Sequence, residues 1–171
     1  MIKTHKIIIF LIFFFNVTMT YAESDKTANM KIFVGKWKNI CNADKSSSKK
    51  ICVLERAMFI DKKLEKRLIT MIMQTDSSSE DILFTLVNPL GTLIMSGVKI
   101  GLNNKLIDDK PFAFNYCDQG GCVTSFLIKK KTLDIFYKSN SLDLEYVLQS
   151  KKKMNISLSL EGFNEAFKKI N

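Results

Sequence analysis

The stretch LDIFYKSNSLDLEYVLQSKKKMNISLSL, from Leu133 to Leu160, decides the fold. Leu142, Leu144, Tyr146 and Leu148 alternate with Asp143, Glu145 and Val147, and Met154, Ile156, Leu158 and Leu160 alternate with Asn155, Ser157 and Ser159. Period two puts one face of a strand in a core and the other in water. Leu133, Ile135 and Tyr137 give the same reading one segment earlier. With Ser139-Asn140-Ser141 as the turn, they predict a strand hairpinned to Leu142–Leu148. Only Gly162 to Ile170 has helical spacing, with Phe163, Ala166, Phe167 and Ile170 at i, i+3, i+4 and i+7.

Working back along the chain, the same logic predicts short strands within Lys31–Cys41, Ile51–Ile60, Lys66–Thr75, Ile82–Val87 and Thr92–Ile100. Turn signals separate them: TDSSSED at 75–81, and Asn88-Pro89-Leu90-Gly91, where proline fixes φ and glycine accepts positive φ. Many short strands with one closing helix make an antiparallel all-β sandwich with a short C-terminal helix. Asn88 to Leu102, apolar and poor in charge, reads as core on both faces, with strand addition at a sheet edge as the alternative. Trp37 reads as a buried side chain near a cysteine.

Residues 1–22 have the parts of a secretory signal: Lys3 and Lys6, the apolar run Ile7 to Phe15, and small residues before a cleavage point at Ala22. The run is too short to cross a bilayer comfortably. The expected organisation is a signal at 1–22, a polar leader at 23–30 and one domain at 31–171, exported to the periplasm, with the outer membrane or the medium as further destinations. Removing Lys3 and Lys6 takes the formal charge from +9 to about +7. Almost all of that excess is lysine, since Arg56 and Arg67 are the only arginines, which argues against a nucleic-acid reader. The charge reads as a solvated surface, or as attraction to an anionic envelope lipid or polymer through clusters such as Lys129, Lys130 and Lys131, and Lys151 to Lys153. Lys99 joins Lys129–Lys131 in the candidate binding surface, for an envelope or host protein or an anionic polymer.

The single histidine, His5, lies inside the signal, so the exported chain has no imidazole for a Ser-His or Cys-His nucleophile or a histidine-bearing metal site. No cofactor or metal is expected. Ser46-Ser47-Ser48-Lys49 has Ser-x-x-Lys spacing and Asp108-Asp109 and Glu80-Asp81 are adjacent carboxylates. They define the alternative reading, a small periplasmic hydrolase. Adjacent residues on a strand point to opposite faces, however, and a serine-lysine loop is not the buried helix such a motif needs. The leading expectation is a non-enzymatic binding or envelope-accessory protein. Cys41, Cys52, Cys117 and Cys122 are disulfide candidates, with three pairings open. Local pairing, Cys41 with Cys52 and Cys117 with Cys122, is the economical one, at roughly 2–3 kcal/mol for each short loop.

An ordered set of residues resembles the invasion-associated locus B family of exported proteobacterial proteins. It comprises Trp37, Cys41 and Cys52; Asn88-Pro89-Leu90-Gly91; Gly97-Val98-Lys99-Ile100; Pro111-Phe112, Cys117 and Gly121-Cys122; and Ile156 through Ala166. Asn103-Asn104 departs from the family pattern, which often has an acidic residue there. The resemblance implies an immunoglobulin-like β-sandwich, exported, associated in some pathogens with host-cell entry, and carries no catalytic residues across.

Overall fold

The structure, a computed structural model, describes residues 31–43, 50–77 and 79–170. The expected signal and leader, and the Ser46–Lys49 motif, lie outside the described residues.

Among the described residues, eleven strands form two antiparallel sheets. In chain order they are β1 (Phe33–Val34), β2 (Lys38–Ala43), β3 (Lys50–Phe59), β4 (Arg67–Asp76), β5 (Ile82–Asn88), β6 (Val98–Leu102), β7 (Lys105–Leu106), β8 (Tyr116–Asp118), β9 (Gly121–Ile128), β10 (Ser141–Val147) and β11 (Lys153–Ser159). The larger sheet runs β1-β3-β4-β5-β9-β8, with β2 also paired to β3, and the smaller runs β11-β10-β6-β7. Their inner faces interdigitate: Leu54, Met71, Met73, Phe84 and Leu86 from the large sheet meet Ile100, Leu142, Leu144 and Leu158 from the small one, all nearly or fully buried. Asp143, Glu145, Asn155 and Ser157 take the outer face, as period two requires.

The segment expected to pair with Leu142–Leu148 is a helix instead, α1 (Lys130–Tyr137). Leu133 and Phe136 are buried while Ile135 is half exposed. The apolar residues therefore satisfy i, i+3, i+4 through Leu133, Phe136 and Tyr137, and a five-residue window fits either period. Lys138 and Ser139 close the helix on the carbonyls of Ile135 and Phe136. β10 pairs with β11 and β6. The second helix, α2 (Phe163–Phe167), buries Phe163, Ala166 and Phe167 and continues through turns to the buried Ile170, whose carbonyl accepts from Thr75 Oγ1 at 2.8 Å.

The reading of Asn88 to Leu102 as core on both faces also fails. Gly91 and Leu93 hydrogen-bond to the end of β10, Ile94–Ser96 is a 3-10 turn, and strand structure resumes only at Val98. Leu90, Leu93, Ile94 and Met95 are exposed, because the turn carries them outside both sheets. Pro89 and the positive φ of Gly91 and Gly97 bend the chain out and back.

Trp37 is half-buried rather than buried. Its indole Nε1 donates to the Glu161 carbonyl at 2.8 Å, and its ring lies 5.6 Å from that of Phe163. The Arg56 guanidinium sits over the same ring, Cζ 4.8 Å from the centroid, and donates to the carbonyls of Gly35, Ser159 and Glu161. Arg56 shares the inner face of β3 with Leu54 and Met58, so the arginine ties the large sheet, where β2 gives way to β1, to the end of the small one. Partial burial lowers its pKa from the ordinary value and Glu161 opposes that.

Cys41–Cys52 joins β2 to β3 and Cys117–Cys122 joins β8 to β9, in each case between residues directly opposite in register. Gly121, with φ of +136°, makes the second hairpin possible, since a Cβ there would lie against the Asn88 carbonyl.

Gly121→Ala therefore loses more than about 2 kcal/mol of stability, through both φ and the clash. Gly91→Ala, with φ of +86° and open space around it, loses about 1 kcal/mol. Urea unfolding of the oxidised protein measures the difference, and equal losses would refute the clash.

Tyr146 is buried in the core with no hydrogen-bond partner for its hydroxyl among the described residues, and burial pushes its pKa up to about 12. The unfolded phenol ionises near 10, so stability held below pH 10 is lost as the pH rises toward 12. Tyr146→Phe removes that alkaline loss and leaves stability at pH 7 unchanged or higher. Melting curves across pH 8 to 12 are the check.

Candidate functional site

The outer face of the small sheet carries a polar depression of about 320 Å³. Two cross-strand rows make its floor. Lys99, Glu145 and Asn155 lie opposite one another on β6, β10 and β11, and so do Gly101, Asp143 and Ser157. Without a side chain at Gly101 the second row is low at one end. Asn104 and Leu106, at the β6–β7 hairpin, form the rim. That hairpin turns on Asn103 and Asn104, both with positive φ, which asparagine tolerates and a two-residue hairpin loop demands.

Two carboxylates organise the site. Glu145 bridges Lys153 Nζ at 2.7 Å and Lys99 Nζ at 3.2 Å. The hydrogen bond from Lys153 holds its pKa below the usual carboxylate range, partial burial works the other way, and Lys99 adds to the lowering. Asp143 accepts from the Asn104 amide at 2.6 Å and Ser141 Oγ at 3.1 Å through Oδ2, and from Ser157 Oγ at 2.6 Å through Oδ1. Ser157 thus faces a carboxylate already engaged by other donors. An activated serine needs a free base oriented by a third group, an arrangement this pair lacks. Two lysines against two carboxylates leave the depression close to neutral. It suits a ligand with mixed polar groups better than a polyanion.

The lysines singled out in the sequence are not brought together. Lys99 lies on the small sheet, within the depression. Lys129 caps α1 at the end of β9 in the large sheet and pairs with Asp81 at 2.6 Å. Lys131 is exposed on α1, and Lys130 opens that helix. Asp81 is therefore committed to a lysine, and Asp108 and Asp109 are exposed on the loop after β7. Among the described residues, no group of three or more histidine, cysteine or acidic side chains is placed to hold a metal ion. Asp143, Glu145, Asn155 and Ser157 escaped notice as a site, although their alternation with buried leucines marked the wet face they share. A second depression, of about 290 Å³, lies between Tyr137 and the Ser159–Glu165 segment.

The sequence model of the invasion associated locus B (IalB) proteins matches residues 37–171. The chain belongs to this family. The crystal structure of invasion associated protein B from Bartonella henselae superposes with a TM-score of 0.66 at 17% identity, covering 81% of this chain and 93% of that one. At that identity the likeness is one of fold. No curated protein matches the chain. The residues that resemble the IalB pattern are largely structural here. Trp37, Gly162 and Phe163 join the sheets, the four cysteines close two hairpins, and Asn88-Pro89-Leu90-Gly91 turns the chain out of the large sheet.

Asp143→Ala strips acceptors from the Asn104 amide and Ser157 and loosens the β6–β7 turn, at about 1–2 kcal/mol. Glu145→Gln removes only exposed ion pairs and costs less than about 1 kcal/mol. Glu145 contributes its full share above the ordinary carboxylate pKa of the unfolded chain and loses it as the pH falls from there through its lowered folded value, so the Glu145→Gln difference shrinks in acid. Chemical denaturation at pH 7 and pH 3 measures both.

Proposed function

We propose that this protein is an exported, non-catalytic binding protein whose small-sheet depression receives a polar segment of another protein. On this reading residues 1–22 are a removed secretory signal, 23–30 a leader and 31–171 the single working domain, delivered to the periplasm or beyond. Two disulfides favour an oxidising compartment, and no helix among the described residues is long and apolar enough to cross a membrane.

One observation carries the reading: a groove-sized site with fixed, mutually neutralising charges and no activated nucleophile. Lys99 and Lys153 are held by Glu145, and Asp143 is held by three donors, so the groups are pre-oriented for a partner. The β6–β7 rim and the exposed Asn155 give that partner both backbone-like and side-chain contacts. The partner is an envelope protein, or a host-cell protein in the sense that the Bartonella relative's name suggests.

Cross-linking in intact cells with a lysine-reactive reagent, followed by mass spectrometry, tests this. A reproducible protein adduct through Lys99, Lys105 or Lys153 is expected. It should fall at least about fivefold with Asn155→Arg, a surface change that fills the depression and leaves the melting temperature unchanged. No adduct, or one indifferent to Asn155→Arg, would refute the site.

A further inference from the structure

The exposed loop between β5 and β6 gathers the least water-compatible surface of the described chain. Met95 is 95% exposed, Leu90 60%, Ile94 51% and Leu93 37%, all within six residues. Isolated apolar side chains on a surface need no explanation, but four on one projecting turn do. The loop is also well formed. Leu93 donates to the Val147 carbonyl at 2.7 Å, Ser96 and Gly97 donate to the carbonyls of Leu93 and Ile94, and Thr92 Oγ1 donates to the Pro89 carbonyl. These bonds, together with the pairing to the end of β10, fix the shape of the turn, so its four apolar side chains project as one group.

Positive charge sits beside it. Gln149 donates to the Gly91 carbonyl at 2.7 Å, and Thr92 bridges Leu148, so the β10–β11 turn runs alongside the loop. That turn carries Lys151 and Lys152, both exposed and without an ion-pair partner among the described residues, while Lys153 is held by Glu145. On the other flank, Phe112 pairs with Val98, and behind it the chain carries Asp108, Asp109 and Lys110. The excess of positive charge is therefore on the Lys151–Lys152 side.

We infer that this end of the sandwich docks on an anionic phospholipid surface, with Leu90, Leu93, Ile94 and Met95 entering the headgroup boundary and Lys151 and Lys152 contacting the lipid phosphates. Apolar insertion beside a basic cluster is the combination by which a soluble fold holds an acidic bilayer. A second copy of the chain is the poorer occupant. A stable dimer needs about 800 Å² from each partner, far more than one turn supplies, and a two-fold contact would bring the lysine pairs together. The docking surface uses none of the residues that line the small-sheet depression, and the inference rests on the proposed export but not on the proposed partner.

The test is co-sedimentation of the processed protein, recovered from the exported fraction of cells, with vesicles of phosphatidylglycerol and phosphatidylcholine. Binding is expected to the mixed vesicles and not to phosphatidylcholine alone. Ile94→Ser combined with Met95→Ser, both at exposed positions, should weaken it at least about tenfold at every salt concentration. Lys151→Gln with Lys152→Gln should weaken it about tenfold at low salt and much less at high salt. All proteins share one N-terminus, so differences among them report on the loop and turn, and matching melting temperatures establish that each is folded. Asn155→Arg should bind vesicles as the parent does. No binding by the parent, binding by the loop or the turn variant equal to the parent's at low salt, or sedimentation that instead tracks self-association abolished by the Ile94/Met95 change would overturn the inference.

Discussion

Arg56 is the point at which the two layers are locked together. A charged side chain on the inner face of a sheet would normally be costly. Here it lies where β2 gives way to β1 alongside β3, and three carbonyls and the face of Trp37 receive it. Those carbonyls belong to Gly35 before β2, Ser159 at the end of β11 and Glu161 before α2. One planar, five-donor group thereby fixes the register between segments far apart in sequence. A lysine has the charge without the fork needed to reach all three.

From that lock the rest of the architecture follows in order. Gly162, in the left-handed region, turns the chain beneath Trp37 so that Phe163 and Phe167 drop onto the core, where Phe136 of α1 meets Phe163. The helices close one end of the sandwich with aromatic contacts. The opposite arrangement holds at the β5–β6 loop, where apolar side chains point away from the core. The molecule thus presents two unlike surfaces: a charge-balanced depression on the small sheet and an apolar projection flanked by lysines.

Much of the fold was legible in the sequence because period two is a strong signal wherever one face is wet. β10, β11 and the closing helix follow directly from the spacing of their leucines and phenylalanines. The failures share one physical cause, which is short segments rich in apolar residues on every side. Leu133 to Tyr137 fits both periods, and only the packing of Phe136 against Phe84 and Phe163 selects the helix. Thr92 to Ile100 reads as a strand by composition, yet after the bend at Pro89 and Gly91 it forms a turn, and Gly97 divides that turn from the strand at Val98. The site was less legible, since the groups in the depression come from three strands and their proximity exists only after pairing. Asn103-Asn104, read as a departure from a family pattern, is a hairpin turn.

Both disulfides join strands that are neighbours in the chain, with sequence separations of 11 and 5. Each bridge can close as soon as its own hairpin forms, before the second sheet exists. A mistaken pairing would have to span the long stretch between Cys52 and Cys117, at a larger entropic penalty for loop closure. Correct oxidation is thus a local event. The maturing chain has little need for disulfide shuffling, and the slow step left to it is the assembly of distant strands around an already stapled scaffold.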